Sequence, residues 1–238
     1  MIDYGLLGSV VVALGVPALL ARRWPLEGFD PPVGFIDAVL GPALGGLAAG
    51  RLVAVALDDP RSLGRLADML VVRSGVEFWP GAAVAVMVAA WSARRVGVPV
   101  PERLAALAPL AMVGYGAYEA SCVLRDGCYG PVSPVGLRPS GLSSTMLPVG
   151  VLMAAAVIVA AGALRNLGAR HNSALTTVLA SLAVVATVRA TASFWLPKIG
   201  DALTRQHRTS LAVAATTILA LVVLALSRTR HPTSMDVP

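Results

Sequence analysis

The feature that most constrains this chain is its succession of long apolar runs. Stretches such as LLGSVVVALGVPALL, ALGGLAAGRLVAVAL and TTILALVVLAL follow one another, and the charges gather in short clusters between them. The runs are roughly 17 to 25 residues long, the length at which a helix crosses the hydrocarbon of a bilayer. Backbone polar groups inside a bilayer must be satisfied internally, so only helices and closed barrels can span it. Barrel strands would show as alternating segments of about ten residues, and the sequence has no such alternation. Only 13% of the 238 residues are charged and 56% are hydrophobic, about half the charged share of a soluble domain. The sequence therefore reads as an all-α integral membrane protein, with one transmembrane domain over residues 1–230 and a disordered cytoplasmic tail at 231–238.

Seven spans are predicted: Tyr4–Leu20, Asp37–Leu57, Gly81–Trp91, Leu104–Ser121, Met146–Leu164, Ala174–Leu196 and Ser210–Leu226. The third is short. The segment before it, LADMLVVRSGVEFWPG, is too charged to cross alone and fits a re-entrant or amphipathic piece shielded by protein. The first run lacks a basic lead and a small-residue cleavage site, so it reads as a span and not as a leader peptide. Small residues in GPALGGLAAG and GVLMAAAVIVAAGA let helix backbones approach closely.

A net charge of +6 would suggest nucleic acid on a soluble protein. Here the arginines flank spans, so the expected partner is anionic lipid and no nucleic acid. Arg22, Arg23, Arg94, Arg95, Arg103, Arg165, Arg170, Arg228 and Arg230 fall on one face, several as doublets abutting spans. Arg61, Arg65, Arg125, Arg138, Lys198, Arg205 and Arg208 fall on the other, interleaved with Asp58, Asp59, Asp68, Asp126 and Asp201. The positive-inside rule then puts the C-terminus in the cytoplasm and the N-terminus outside. Arginine- and alanine-rich usage is that of a GC-rich bacterial source, hence a bacterial inner membrane.

Ionisable groups at membrane depth are costly, and each is a site hypothesis by default. Arg51 and Arg189 lie about two-thirds along the second and sixth runs, both toward the outer leaflet in this topology; Arg73, Glu77 and Glu119 complete the set. Two guanidinium groups at similar depth repel unless an anion lies between them, and a phospholipid phosphate suits their bidentate fork. The alternative is internal pairing, Arg73 with Glu77 at i,i+4 spacing and Glu119 with Arg51 or Arg189. Such a pair would keep Glu119 ionised and weaken it as an acid or base.

Cys122 and Cys128 do not have zinc-motif spacing, and His171, His207 and His231 all read as loop or tail residues, so no metal site is expected. On an outer, oxidising face the cysteines would form a disulfide closing a small loop or remain as inert thiols; a thiol nucleophile has no histidine base in reach by sequence. Neither a phosphate loop nor a nucleotide fingerprint is present, so no cofactor is expected.

In order along almost the full length, the sequence resembles the prolipoprotein diacylglyceryl transferases. IDYGLLGSVVVALGV is similar to the family's opening segment, and DAVLGPALGGLAAGRLVAVAL to its second span, whose arginine falls at Arg51. LAPLAMVGYGAYEASC resembles the Ala-Pro segment that leads into the family signature, with Cys128-Tyr129-Gly130 like the ending of some divergent members. VRATASFW is similar to the segment carrying a second arginine, here Arg189, and the Gln206 and Ser210 region to the Gln-x-x-Ser that opens the last span. The resemblance implies seven spans around a lipid-accessible cavity, an irregular outer segment at Arg125–Ser144, and transfer of diacylglycerol from phosphatidylglycerol to the cysteine of an exported protein.

The departures are chemical. Trp79 stands at the family histidine, Glu119 at the signature arginine, Cys122 and Arg125 at its asparagines and Gly127 at its glutamate, while Pro148 and Val149 stand at a tyrosine and a glutamate. Transfer expels a glycerol phosphate, and loss of one preorganised donor to such a charge typically costs a hundred- to thousand-fold in rate, about 2.7 to 4 kcal/mol. Two functions follow. In one, a transferase acts on a phospholipid or lipid-phosphate donor, with Arg51 and Arg189 as phosphate clamps and Glu119, Arg125, Asp126 or a cysteine carrying altered chemistry. In the other, the chain is a non-catalytic lipid-binding protein or a scaffold subunit of a membrane assembly.

Overall fold

The computed structural model describes residues 4–24, 36–58, 60–61, 76–125, 127–171, 173–196 and 204–230. The described residues contain seven helices of 18 residues or more: α1 (Tyr4–Arg23), α2 (Gly41–Asp58, entered through a π turn at Ile36–Leu40), α3 (Phe78–Arg95), α4 (Val100–Ala120), α5 (Val149–His171), α6 (Ala174–Ala192) and α7 (Arg205–Arg230). A 3-10 turn at Ser121–Arg125 and a strand, β1 (Val132–Leu137), lie between α4 and α5. Five segments are long and apolar enough to cross a membrane: Ala38–Asp58, Val100–Leu124, Val149–Leu167, Ala174–Ala192 and Arg205–Ser227. The chain is a helical, multi-pass membrane protein.

Helix α4 is the hub. It packs on α1, α3, α5 and α6, and more than half of its apolar window is buried, against 17% for α7. Met112 and Val113 of α4 meet Val157 and Ala161 of α5 and Val185 of α6 in one apolar cluster. Helix α2 packs on α3 along a glycine seam. A Cβ on Gly46 would lie 2.8 Å from the Gly81 carbonyl oxygen, and one on Gly50 would lie 2.7 Å from that of Glu77. Only glycine permits backbones this close. The approach lets the Glu77 amide donate to the Gly50 carbonyl at 3.0 Å.

Several boundaries differ from the sequence reading. The third helix starts at Phe78, so part of the segment read as re-entrant completes it. Pro80 sits in its first turn, where the missing N–H has no intrahelical acceptor to lose. The fifth helix starts at Val149, because Met146 instead bridges antiparallel to Val132 and Leu137; the outer segment read as irregular thus carries a strand. The sixth helix stops at Ala192 and the seventh begins at Arg205, a turn before the expected Ser210. Arg73, Asp126 and the 231–238 tail lie outside the described residues, as does the side chain of Arg125.

Candidate functional site

The start of α3, the end of α4, the end of α6 and the start of α7 meet at one end of the bundle. Tyr115 and Glu119 are one helical turn apart on α4 and so share a face. Facing them, in the last turn of α6, is Arg189. Its Nη1 donates to the Tyr115 hydroxyl at 2.8 Å and to Glu119 Oε1 at 3.4 Å, and its Nη2 donates to Gln206 Oε1 at 3.3 Å. The guanidinium also lies over the Phe78 ring, 4.2 Å from its centroid. The side chains of Arg189 and Glu119 are 14% and 11% exposed, a nearly buried ion pair. Of the guanidinium donors, Nε–H is buried and has no partner among the described residues.

A second set continues along α7. Trp79 Nε1 donates to Ser210 Oγ at 2.9 Å. His207 is 1% exposed, with its Nδ1 against Ser193 Oγ and its ring edge-on to Phe194 at 4.6 Å. The Ser193 hydroxyl donates to the Ala190 carbonyl. Its single proton being used there, the hydroxyl accepts from Nδ1–H of the imidazole, which leaves Nε2 as the other ring nitrogen. That Nε2 is buried and has no partner among the described residues. The expectation that His207 belongs to a loop is therefore corrected, since α7 extends far enough back to bury it.

A third set ties the helix ends together. Arg205 donates from Nε to Glu77 Oε1 at 2.8 Å and from Nη2 to Asp58 Oδ1 at 3.0 Å. Arg205 and Asp58 are each 46% exposed, whereas Glu77 is 11%. The expected Arg73–Glu77 pairing lies outside the described residues, because Arg73 does; among them, Glu77 immediately precedes α3 and its carboxylate turns to α7. Arg51 is half-buried on α2, beside Gly50 and therefore next to the first turn of α3. Helix α2 packs on α3, and α6 on α4, α5 and α7.

Cys122 and Cys128 are joined by a disulfide across the 3-10 turn, with their Cα atoms 5.8 Å apart. Glu119 belongs to this neighbourhood too, because a carboxylate oxygen and the two sulfurs lie within 4.8 Å of one another. Joined to each other, the sulfurs offer no thiolate to a metal.

The sequence singled out Glu119, Arg189, Gln206, Ser210 and Trp79 but missed Tyr115, Phe78, Ser193 and His207. Tyr115 carried a signal: it precedes a buried-span glutamate by four residues, which puts a hydroxyl on the same helical face as the charge. Ser193 and His207 carried none, since their contact depends on where α6 stops and α7 begins. No family model matches the chain, and no curated protein is significantly similar to it.

Proposed function

We propose that the chain is a seven-span membrane protein of the prolipoprotein diacylglyceryl transferase type that holds a phospholipid headgroup at the outer leaflet without transferring it. The observation that carries this reading is the Arg189 guanidinium, fixed in orientation by Tyr115, Glu119, Gln206 and Phe78 while its Nε–H keeps a donor in reserve. A phosphate oxygen accepts from that edge of the fork. Glu119 neutralises the cation, so a bare anion gains little, whereas a headgroup with both a phosphate and hydroxyl donors can satisfy both partners. Phosphatidylglycerol has that chemistry. Further support comes from convergence: Trp79, Glu119, Arg189, Gln206 and Ser210, drawn from four segments by the resemblance, bond to one another as Trp79–Ser210, Arg189–Glu119 and Arg189–Gln206.

The same pair argues against transfer. Catalysis of phosphate departure needs a cation free to meet growing charge, and here a carboxylate already occupies it. Arg51, next to the first turn of α3, is the second cation of the headgroup site. The orientation is N-terminus outside and C-terminus cytoplasmic in a bacterial inner membrane, with an exported protein or other membrane subunits as the partners of a lipid-loaded form.

Native mass spectrometry of the purified protein tests this. Wild type is expected to retain phosphatidylglycerol through delipidation, and a folded Arg189→Ala variant to lose it. Wild type without lipid, or equal retention by the variant, refutes the reading. Turnover of labelled phosphatidylglycerol with an exported cysteine acceptor would replace it with the transferase.

A further inference from the structure

We propose that the Cys122–Cys128 disulfide is an exchange site for a protein dithiol, with Cys128 the sulfur that is attacked. The two cysteines are unequal. Cys122 is 3% exposed, whereas Cys128 is half-buried; both border a shallow dent with Val123, Gly127, Tyr129 and Val151. Cys128 is the less enclosed residue of the two and is the end of the bond that an incoming sulfur meets first.

The turn that carries the sulfurs is held without them. The Gly127 amide donates to the Cys122 carbonyl at 3.1 Å, the Gly150 amide to the Cys128 carbonyl at 3.2 Å and the Gly130 amide to the Leu147 carbonyl at 2.7 Å. None of these bonds uses a sulfur, so they do not depend on the disulfide for their donors or acceptors. A cross-link between residues six apart also constrains the unfolded chain less than one that closes a long loop. As a structural staple it is nearly redundant. Cys128 holds a φ of 60°, the left-handed region that a residue with a Cβ seldom occupies. Such backbone is kept where surrounding structure enforces it, and it recurs at functional sites.

The exchange balances as follows. A thiolate of the partner attacks Cys128 Sγ, the Cys122–Cys128 bond breaks, and Cys122 leaves as a thiolate that takes up a proton. The partner's second thiolate then attacks its own sulfur in the mixed disulfide. The partner becomes a disulfide, and Cys128 is released and protonated. Two electrons and two protons move from the partner dithiol to the pair, and the reverse sequence returns them.

Glu119 borders the pair: its carboxylate lies within 4.8 Å of both sulfurs and is itself paired with Arg189.

The test uses the full chain in lipid nanodiscs, equilibrated in glutathione redox buffers and trapped with a maleimide that shifts its mobility. Reversible two-thiol labelling across the glutathione series is expected. A disulfide that stays closed in reduced glutathione overturns the proposal. With glutathione disulfide as the probe, Cys122→Ser (leaving Cys128) is expected to form the mixed adduct at least about tenfold faster than Cys128→Ser (leaving Cys122); equal rates overturn it. Should either variant not fold, the wild-type titration still decides whether the disulfide exchanges.

Discussion

The two ends of the bundle spend their charges differently. At the end where α3 and α7 begin, guanidinium and carboxylate groups are paired across helices: Arg189 with Glu119, nearly buried, and half-exposed Arg205 with both Glu77 and Asp58. At the other end, Arg95 and Arg165 lie against aromatic rings, while Arg103 in the first turn of α4 is buried at 3% exposure. Arg95 lies over Trp91, 3.6 Å from the ring centroid, and Arg165 over Trp24 at 4.7 Å. The first arrangement fixes side chains across four helices. The second leaves each cation on its own ring near the water, as suits an arginine that anchors a span at the headgroups. The ion pairs of the first end tie helices together, whereas Arg95 and Arg165 at the other end each sit on a ring of a neighbouring aromatic residue.

Breaking the buried pair gives the largest contrast. Glu119→Ala leaves a guanidinium that cannot shed its proton, and removing one partner of a buried pair costs about 3 kcal/mol or more. Thermal unfolding in detergent is expected to drop sharply. Arg189→Leu is expected to cost less, because Glu119 can take up a proton when its partner is gone; the reverse ranking would show that the pair is not the element holding α4 to α6. A smaller effect is expected for Arg205→Gln, about 1 kcal/mol or less because the guanidinium is half-exposed, and it should shrink as salt is added. Smallest of all is Trp91→Ala at the opposite end: an exposed cation–π pair contributes about 0.5–1 kcal/mol. A loss there as large as that from Glu119→Ala would erase the distinction between the two ends.

Much of this was legible from pattern alone. Apolar runs of membrane length identified the helices, and GPALGGLAAG marked the seam where α2 meets α3. Where polarity interrupts the pattern, the reading fell short. His207 read as a loop residue ahead of a span expected to start at Ser210, yet it is buried by Ser193 and Phe194 and its helix starts earlier. Strand β1, VSPVGL, contains a proline and a glycine that argue against a strand, and it is held by bridges to Met146 and by the Ser133 amide donating to the Thr145 carbonyl. Glu119 was recognised as anomalous, and either arginine was open as its partner. The choice of Arg189 follows from α4 packing directly on α6, a tertiary fact with no local signature.

The glycine seam has a mechanical consequence. Because Gly46, Gly50 and Gly81 bring α2 and α3 into backbone contact, neither helix can slide along the other without collision. The pair is tied to α7 by Arg205, which bonds Asp58 at the end of α2 and Glu77 just before α3, and by Trp79 on Ser210, while α3 also packs on α4. Phe78, the residue after Glu77, covers the face of the Arg189 guanidinium, so the cover over that cation is set by how firmly these two helices are held.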